Sequence, residues 1–115
     1  VGTNLVQELL GLGARVRGTI HQKQPQLAAE GAEYVQCDLT RLDDCFEVTR
    51  GMDYVFMGAA NSSGAEVMEK TPLMHLTPNV VMNAQMLAAA YENELEKFCF
   101  ISSNTAYPLA DFALK

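Results

Sequence analysis

Short apolar runs with β-like composition alternate along this chain with stretches of helical periodicity. The sequence predicts strands at 14–20, 33–37, 52–57 and 98–101, and helices at 2–10, 22–30, 43–50 and 79–91. Strands separated by helices in this rhythm form βαβ units with right-handed crossovers. The predicted fold class is therefore α/β, with a doubly wound parallel sheet. The run at 52–57 is continuously apolar, as expected of a strand covered on both faces.

The composition limits the class of partner. The 115 residues are 49% hydrophobic, which is enough for the core of one domain, and the net charge of −6 offers no basic patch for nucleic acid or an anionic membrane. No apolar run reaches the 18 residues of a membrane span, and the start has no secretory signal pattern. We expect a cytoplasmic protein that acts on a small molecule, without nucleic acid or membrane as its partner.

The cysteines and histidines show no metal-binding pattern. Cys37, Cys45 and Cys99 are odd in number and lack C-x-x-C spacing, which is typical of reduced core thiols in a cytoplasmic protein. His21 and His75 are far apart in sequence and have no partnering pattern. The sequence therefore predicts no metal site.

The last predicted strand ends in a cluster of polar side chains. The apolar run 98–101 is followed by Ser102, Ser103, Asn104 and Thr105, and then by the pair at 107–108, Tyr-Pro. A strand that ends in this way delivers polar groups to the carboxyl edge of a parallel sheet, where α/β proteins bind their ligands. We expect the chemistry of the protein at this edge.

These residues carry a family resemblance. Asn79 near the start of a helix, Ala89-Ala90 near its end, the polar turn at 92–94, and the strand closing in Ser-Asn-Thr-Ala-Tyr-Pro at 103–108 follow one another. In this order they resemble the extended short-chain dehydrogenase/reductase superfamily and its NAD-dependent epimerase/dehydratase family. Within it, the pattern is most similar to nucleotide-sugar epimerase/reductases of the GDP-L-fucose synthase type. The resemblance implies a Rossmann fold.

The resemblance also implies that residues 1–115 are one partial NAD(P)-binding Rossmann domain. Family members begin with a strand and a three-glycine turn, and Gly2 matches the last of those glycines. Their catalytic Tyr-x-x-x-Lys pair would lie beyond Lys115. Tyr107 does not match it, because Asp111 stands four residues later, where a lysine would have to lower the pKa of the phenol. We therefore expect a fragment of a longer enzyme, itself inactive.

Several residues match cofactor-contacting positions of the family. Gly2 lets a helix N-terminus approach a pyrophosphate, or it is a simple turn glycine. Asp38 and Leu39 match the pair that holds adenine, although Asp38 could instead cap the following helix. Gly58, Ala59 and Ala60 match a turn of small residues that follows the fourth strand of the family. The alternative is that these residues are small only because the turn is tight.

The second strand of the family, matched here by 14–20, normally decides between the two nicotinamide cofactors. No carboxylate follows Ile20 to accept from a ribose 2′-hydroxyl, and Arg17, His21 and Lys23 are basic neighbours. The pattern favours NADP over NAD, with His21 at the cofactor. The alternative is a solvated basic loop without a ligand role.

The resemblance assigns the remaining site residues. Ser103, four residues before Tyr107, matches the catalytic serine that hydrogen-bonds the reacting oxygen; a structural serine at a strand end is the alternative. Asn79 matches an asparagine that reaches the active-site network near the cofactor, with helix N-capping as the alternative. Ser102 falls on the cofactor side, and the substrate-side positions are Ser62, Ser63, Asn104 and Thr105. A cysteine stands at the position of Thr105 in GDP-L-fucose synthases, which weakens the case for epimerase chemistry.

Three functions fit these residues. The first is hydride transfer to or from a nucleotide sugar by a Ser/Tyr/Lys site, and the second is reduction of small carbonyl compounds. The second resembles dihydroflavonol reductases, which also carry Val-Arg-x-Thr before a basic residue, here at 16–19 and His21. The third is a dinucleotide sensor without catalysis. Relatives use part of the helix matched by 79–91 in a dimer, and its apolar residues fit either a core or an interface.

Overall fold

The computed structural model describes residues 2–22, 28–61 and 70–102 of the chain. In chain order they form α1 (Gly2–Gly11), β1 (Arg17–Ile20), β2 (Glu33–Gln36), α2 (Leu42–Thr49), β3 (Tyr54–Met57), α3 (Pro72–Glu92) and β4 (Lys97–Phe100). The order of the described elements confirms the predicted α/β class. None of the described helices is long and apolar enough to cross a membrane.

The described strands form two parallel pairs. Strand β1 pairs with β2 from Arg17 opposite Glu33 to Ile20 opposite Gln36, and β3 pairs with β4 from Tyr54 opposite Lys97 to Met57 opposite Phe100. No ladder joins one pair to the other within the described residues. The carboxyl end of each strand leads into a loop that carries predicted site residues.

Most predicted elements differ from the observed ones only at their ends. The strands have four residues each, so β1, β2 and β3 are shorter than predicted, and β4 and α2 each begin and end one residue earlier than expected. Of the predicted helix 22–30, residues 23–27 lie outside the described part, while residues 28–29 are irregular and Glu30 and Gly31 form a turn. The shifts at the ends of the observed elements reflect fraying, which a hydrophobic pattern does not determine.

Helix α3 begins seven residues before its predicted start at Asn79. Pro72 occupies its first turn, where the missing N–H costs nothing, and the helix continues through Pro78. An internal proline removes one hydrogen bond, and the later apolar contacts of the helix compensate for that loss. One side of α3 remains exposed through Leu73, Leu76, Val80, Leu87 and Tyr91. The dimer predicted for this helix stays a prediction.

The core lies where α2 and α3 cover the strands. The buried residues form one cluster: Cys37, Leu39, Cys45, Val48, Met57, Met86 and Ala89. Two sequence expectations about the core were wrong. Cys99 is exposed rather than a core thiol, and Tyr54 and Phe56 of β3 remain 51% and 44% exposed although both faces of that strand were expected to be covered.

A buried polar contact joins the ends of α2 and α3. Asn93, which caps α3, donates its Nδ2–H groups to the Phe46 carbonyl at 3.0 Å and to Thr49 Oγ1 at 2.8 Å. Thr49 is 1% exposed and donates its own hydroxyl to the Cys45 carbonyl at 2.7 Å. The Thr49 hydroxyl therefore has partners both as donor and as acceptor, which makes its burial tolerable.

Candidate functional site

Polar side chains meet where β1 and β2 end. His21 directly follows β1, and its Nε2 lies 3.9 Å from Oδ2 of Asp38, which follows β2. Gln36 fixes this end of β1 by donating its side-chain N–H to the His21 carbonyl at 3.2 Å. The structure thus brings together two of the residues predicted at the cofactor.

The Asp38 carboxylate is held by its own loop. Its Oδ1 accepts from the Thr40 hydroxyl at 2.7 Å and from the Thr40 backbone N–H at 2.9 Å, while the Asp38 N–H donates to Asp44 Oδ2 at 2.7 Å. The Thr40 hydroxyl, followed by the Thr40 N–H, lowers the pKa of Asp38, and His21 and Arg41 add to the effect. Asp38 is therefore ionised at neutral pH, with Oδ2 turned toward His21.

The alternative role of Asp38 as a helix cap does not match the structure. The N-cap of α2 is Arg41, which makes no side-chain capping bond, and the Asp38 carboxylate accepts from Thr40 instead of from the first turn of α2. An oriented, ionised carboxylate whose Oδ2 has only a 3.9 Å contact with His21 can accept a hydrogen bond from an amine or a hydroxyl group of a ligand.

Leu39, the predicted neighbour of the adenine, has most of its surface in the protein core. It is 7% exposed and belongs to the buried cluster, and it also lines the cleft between the strand pairs. Gly2, at the start of α1, lines the same cleft, and among the described residues nothing outside its own helix lies within 4 Å of where its Cβ would be. Backbone N–H groups at a helix N-terminus favour a bound anion.

The turn after β3 is narrow and exposed. The Gly58 N–H donates to the Phe56 carbonyl at 3.1 Å, and a Cβ on Gly58 would lie 3.2 Å from Ile101 Cδ1. Such a contact is tighter than normal, so a larger residue would displace either the turn or Ile101. Ala59 and Ala60 follow and are exposed. The small side chains leave the backbone accessible at this end of the sheet.

Asn79 holds the end of that turn. Its Oδ1 accepts from the Asn61 N–H at 2.7 Å, and its Nδ2 donates to the Asn61 carbonyl at 3.0 Å and to the His75 carbonyl at 2.9 Å. The alternative role of Asn79 as an N-cap is wrong, because α3 begins at Pro72 and has Thr71 as its cap. The side-chain amide pairs with the backbone of Asn61, so Asn79 positions the turn through its peptide groups.

The remaining predicted residues divide into two groups. Ser102 follows β4 and is exposed at the same edge of the sheet. Ser103, predicted to be catalytic, lies outside the described residues, as do the predicted substrate-side residues Ser62, Ser63, Asn104 and Thr105. Their roles stay predictions.

Arg17, one of the basic residues that favoured NADP in the sequence, contacts other parts of the protein. The Arg17 guanidinium pairs with Glu33 at 2.9 Å and donates to the carbonyls of Val48 and Arg50 at 3.1 Å each. It stands at the start of β1, away from the edge where His21 lies. Lys23 lies outside the described residues.

Three residues with clear roles at the site were missed from the sequence. Thr40 and Asp44 hold the Asp38 loop, and Asn61 is the partner of Asn79. An Asp followed two residues later by Thr is a known turn signal, so Thr40 could have been found. The contact of Asn61 with Asn79 joins residues 18 positions apart, and no local pattern marks it.

The alternation of helices with parallel strands is that of an α/β protein of the doubly wound class. Comparison with protein-family models matches residues 1–112 to the NAD dependent epimerase/dehydratase family. The chain belongs to this family, which confirms the resemblance seen in the sequence.

Relatives within the family include sugar-nucleotide enzymes. The chain is 26% identical over 110 residues to GDP-mannose 3,5-epimerase 1 of Oryza sativa subsp. japonica, covering 94% of this chain and 29% of the relative. A UDP-glucose 4-epimerase structure superposes with a TM-score of 0.79 at 27% identity, over 96% of this chain and 34% of that one.

A second structure, the complex of a Thermus thermophilus UDP-glucose 4-epimerase with NAD, has a TM-score of 0.73 at 21% identity. It matches 84% of this chain and 32% of its own length. The chain therefore spans about a third of the length of the relatives it matches.

Proposed function

We propose that this chain is the dinucleotide-binding part of an enzyme that transfers a hydride to or from a nucleotide sugar. The observation that carries the proposal is the cleft lined by Gly2, His21 and Gly58, where His21 faces Asp38 and each of the last three residues follows a parallel strand. Parallel α/β sheets bind their ligands at this edge. The nucleotide-sugar substrate is proposed from the relatives' names, GDP-mannose 3,5-epimerase and UDP-glucose 4-epimerase.

In this function, Asp38 recognises the adenine. Its Oδ2, on the side of His21, would accept from the exocyclic amine, while Thr40 keeps the carboxylate ionised and oriented. Gly2 and the N–H groups of the first turn of α1 would face the pyrophosphate, and the narrow turn at Gly58 would let the cofactor approach the backbone.

We propose NAD as the cofactor. Arg17 is engaged by Glu33 and by two carbonyls, and His21 faces the Asp38 carboxylate. A 2′-phosphate placed beside this anion would be repelled, whereas a free 2′-hydroxyl would not. This reasoning supports NAD over the NADP predicted from the sequence. Titration of the full-length protein with both cofactors tests it, and tighter binding of NADP would contradict it.

The experiment on Asp38 measures dinucleotide binding to the full-length protein by calorimetry. Asp38→Ala should weaken NAD binding by about tenfold or more, because it removes a charge-assisted hydrogen bond worth about 1.5–3 kcal/mol. The hypoxanthine analogue of NAD lacks the exocyclic amine, so Asp38→Ala should weaken the binding of this analogue much less than the binding of NAD.

Two control variants separate recognition from structure. Asp43→Ala removes an exposed carboxylate of α2 and should leave binding unchanged. Thr40→Ala keeps the carboxylate but removes its hydroxyl partner, so a smaller loss is expected. If Asp38→Ala weakens NAD and its hypoxanthine analogue equally, Asp38 does not recognise adenine.

The catalytic part of the proposal rests on Ser103. Its hydroxyl would donate to the substrate oxygen as negative charge develops during hydride transfer, while a tyrosine and a lysine of the full-length enzyme move the proton. Ser103→Ala should lower kcat by about 10²–10³-fold with little change in KM. Neighbouring side chains of a strand point to opposite sides, so Ser102→Ala should lower kcat clearly less than Ser103→Ala. A larger loss for Ser102→Ala would show that the register is wrong.

A further inference from the structure

Helix α2 begins without a side-chain cap. Its N-cap is Arg41, which makes no capping bond, whereas serine, threonine, aspartate and asparagine are the residues that cap helices well. The first turn carries two carboxylates, Asp43 and Asp44. In a capping box, a glutamate or glutamine at the third helical position reaches back to the N–H of the N-cap residue. Asp44 holds that position but binds elsewhere, so its role has another explanation.

The carboxylate of Asp44 reaches past the N-cap to the turn that follows β2. Its Oδ2 accepts from the backbone N–H of Asp38 at 2.7 Å. The Arg41 N–H, which a capping box would direct to this carboxylate, donates to the Asp38 carbonyl at 2.8 Å instead. A carboxylate that accepts from a backbone N–H makes a charge-assisted hydrogen bond, which is short and strong. Asp44 therefore binds the residue proposed to contact the adenine, through the main chain of Asp38 rather than its side chain.

Three of the four polar groups of Asp38 have hydrogen-bond partners in the described part of the chain. Its N–H binds Asp44, its carbonyl binds Arg41, and its Oδ1 binds the hydroxyl and the N–H of Thr40. The fourth group, Oδ2, lies 3.9 Å from His21 Nε2. Thr40 and Arg41 belong to the same turn as Asp38 and move with it. Among these bonds, only the one to Asp44 ties Asp38 to the regular part of α2.

Helix α2 is a firm anchor for this bond because its inner face is buried. Cys45 and Val48 belong to the core cluster, and Thr49 at the end of the helix is held by Asn93. The side chain of Asp44 is 28% exposed, so its hydrogen bond is partly shielded from water and gains strength from the lower local dielectric. The turn can move relative to α2 only if this shielded bond breaks.

Two further polar contacts at the start of α2 are weaker. The Cys45 thiol donates to the Leu39 carbonyl at 3.3 Å, but a thiol is a weak donor. The Arg41 Nε lies 3.6 Å from Asp44 Oδ1, and the Arg41 side chain is 67% exposed, so this ion pair contributes little. Of these polar contacts, the bond from Asp38 to Asp44 is therefore the strongest.

From these contacts we propose that Asp44 is a positioning residue for the recognition of the adenine, an inference that rests on the function proposed above. Thr40 orients the Asp38 carboxylate within its turn, and Asp44 sets where that turn stands relative to α2. Both residues act on the ligand only through Asp38. A displacement of Asp38 Oδ2 by about 1 Å would take its bond to the exocyclic amine outside the range of about 2.7–3.2 Å that such a bond requires.

Calorimetry on the full-length protein compares the dissociation constants of NAD and of its hypoxanthine analogue. Their ratio measures recognition of the exocyclic amine and does not respond to a change that weakens both ligands alike. Asp44→Ala should weaken NAD binding by about three- to tenfold and the analogue much less, so the ratio should fall toward one. Asp44→Asn keeps an oxygen that can accept from the Asp38 N–H and should retain most of the ratio. The matched control Asp43→Ala removes an exposed carboxylate of the same helical turn and should change neither constant.

A double variant separates positioning from other effects of the substitution. If Asp44 acts only through Asp38, adding Asp44→Ala to Asp38→Ala should change the affinity for NAD by less than about twofold. Urea titration shows whether each variant folds. If Asp44→Ala folds poorly, Asp44→Ser takes its place, because serine suits the first turn of a helix and its side chain is one atom shorter. The same fall in the ratio is expected of it.

The outcomes distinguish Asp44 from Asp38. An unchanged ratio in the folded Asp44 variant, while the unmodified protein discriminates between the two ligands, would overturn the role of Asp44 and leave that of Asp38 intact. Equal losses from Asp44→Ala with and without the Asp38 carboxylate would also overturn it. If the unmodified protein binds NAD and its analogue equally well, Asp38 does not recognise adenine, and the role of Asp44 is overturned with it.

Discussion

At the scale of single residues, the three cysteines differ most in environment. Burial raises the pKa of Cys45 to about 11, with Cys37, Asp44 and Asp38 adding to the effect, and its thiol donates to the Leu39 carbonyl at 3.3 Å. Burial also raises the pKa of Cys37, whereas Cys99 is exposed. The thiolate is the reactive form, so exposure and pKa together should order the three thiols.

We expect iodoacetamide at a pH of about 8 to modify Cys99 first and Cys45 last. With its pKa near 11, Cys45 has only about a thousandth of its thiol ionised at this pH, and its sulfur is inaccessible as well. Peptide mass spectrometry over time measures the three rates, and in denaturant they should become similar. Labelling of Cys45 as fast as Cys99 in the folded chain would mean that the core around α2 is open.

The sequence predicted the places of some residues in the fold and not of others. Asp38 and Gly58 follow apolar runs typical of strands, and in the structure both come shortly after a strand; their cofactor roles came from the family resemblance and stay predictions. The contacts of Asn79 could not be predicted, since its partner is a backbone peptide that only the folded chain brings near. The exposure of Cys99 could not be predicted either, because periodicity does not say which face of a strand is covered.

At the scale of elements, α2 and α3 are held together by a polar contact inside an apolar interface. The Asn93 side chain donates to Thr49 and to the Phe46 carbonyl in α2, while the Asn93 backbone N–H caps α3. Removing either partner leaves a buried polar group without its bond, which costs about 1–3 kcal/mol. The two side chains should therefore be energetically coupled.

A double-mutant cycle measures this coupling. Thr49→Val and Asn93→Ala should each lower the free energy of unfolding by about 1–2 kcal/mol in urea titrations. The double variant should lose less than the sum, by about 0.5–1 kcal/mol, because the shared bond is counted twice in the single variants. Strictly additive losses would show that the contact contributes nothing of its own.

The start of α3 is the largest departure of an element from the sequence prediction. Proline usually ends a helix, and the predicted helix starts at Asn79, directly after Pro78, yet the observed helix runs through that proline from Pro72. Tertiary contact of the later turns, through Met86 and Ala89 in the core, holds the helix across that position. A local rule thus failed where packing at the far end of the element determined the outcome.

At the scale of the whole molecule, Arg17 helps to link the two strand pairs. Arg17 begins β1, pairs with Glu33 of β2, and donates to the carbonyls of Val48 and Arg50, which lie at the end of α2 before β3. Its side chain is 20% exposed, so these charge-assisted bonds are partly shielded from water. Where no ladder joins the described pairs, such bonds help to fix how the pairs meet.

We expect Arg17→Met to lower the free energy of unfolding by about 1–3 kcal/mol, because it leaves the carbonyls of Val48 and Arg50 without their donor while keeping most of the side-chain volume. Glu33→Gln removes only the ion pair with a 54% exposed carboxylate and should cost no more than about 0.5 kcal/mol. Denaturant titration gives both values. Hydrogen exchange adds the location of the change: in Arg17→Met the amides of residues 50–53 should exchange faster, while those of α3 from Met86 to Ala90 should not. Equal losses for the two variants would mean that the ion pair, and not the link to the end of α2, accounts for the role of Arg17.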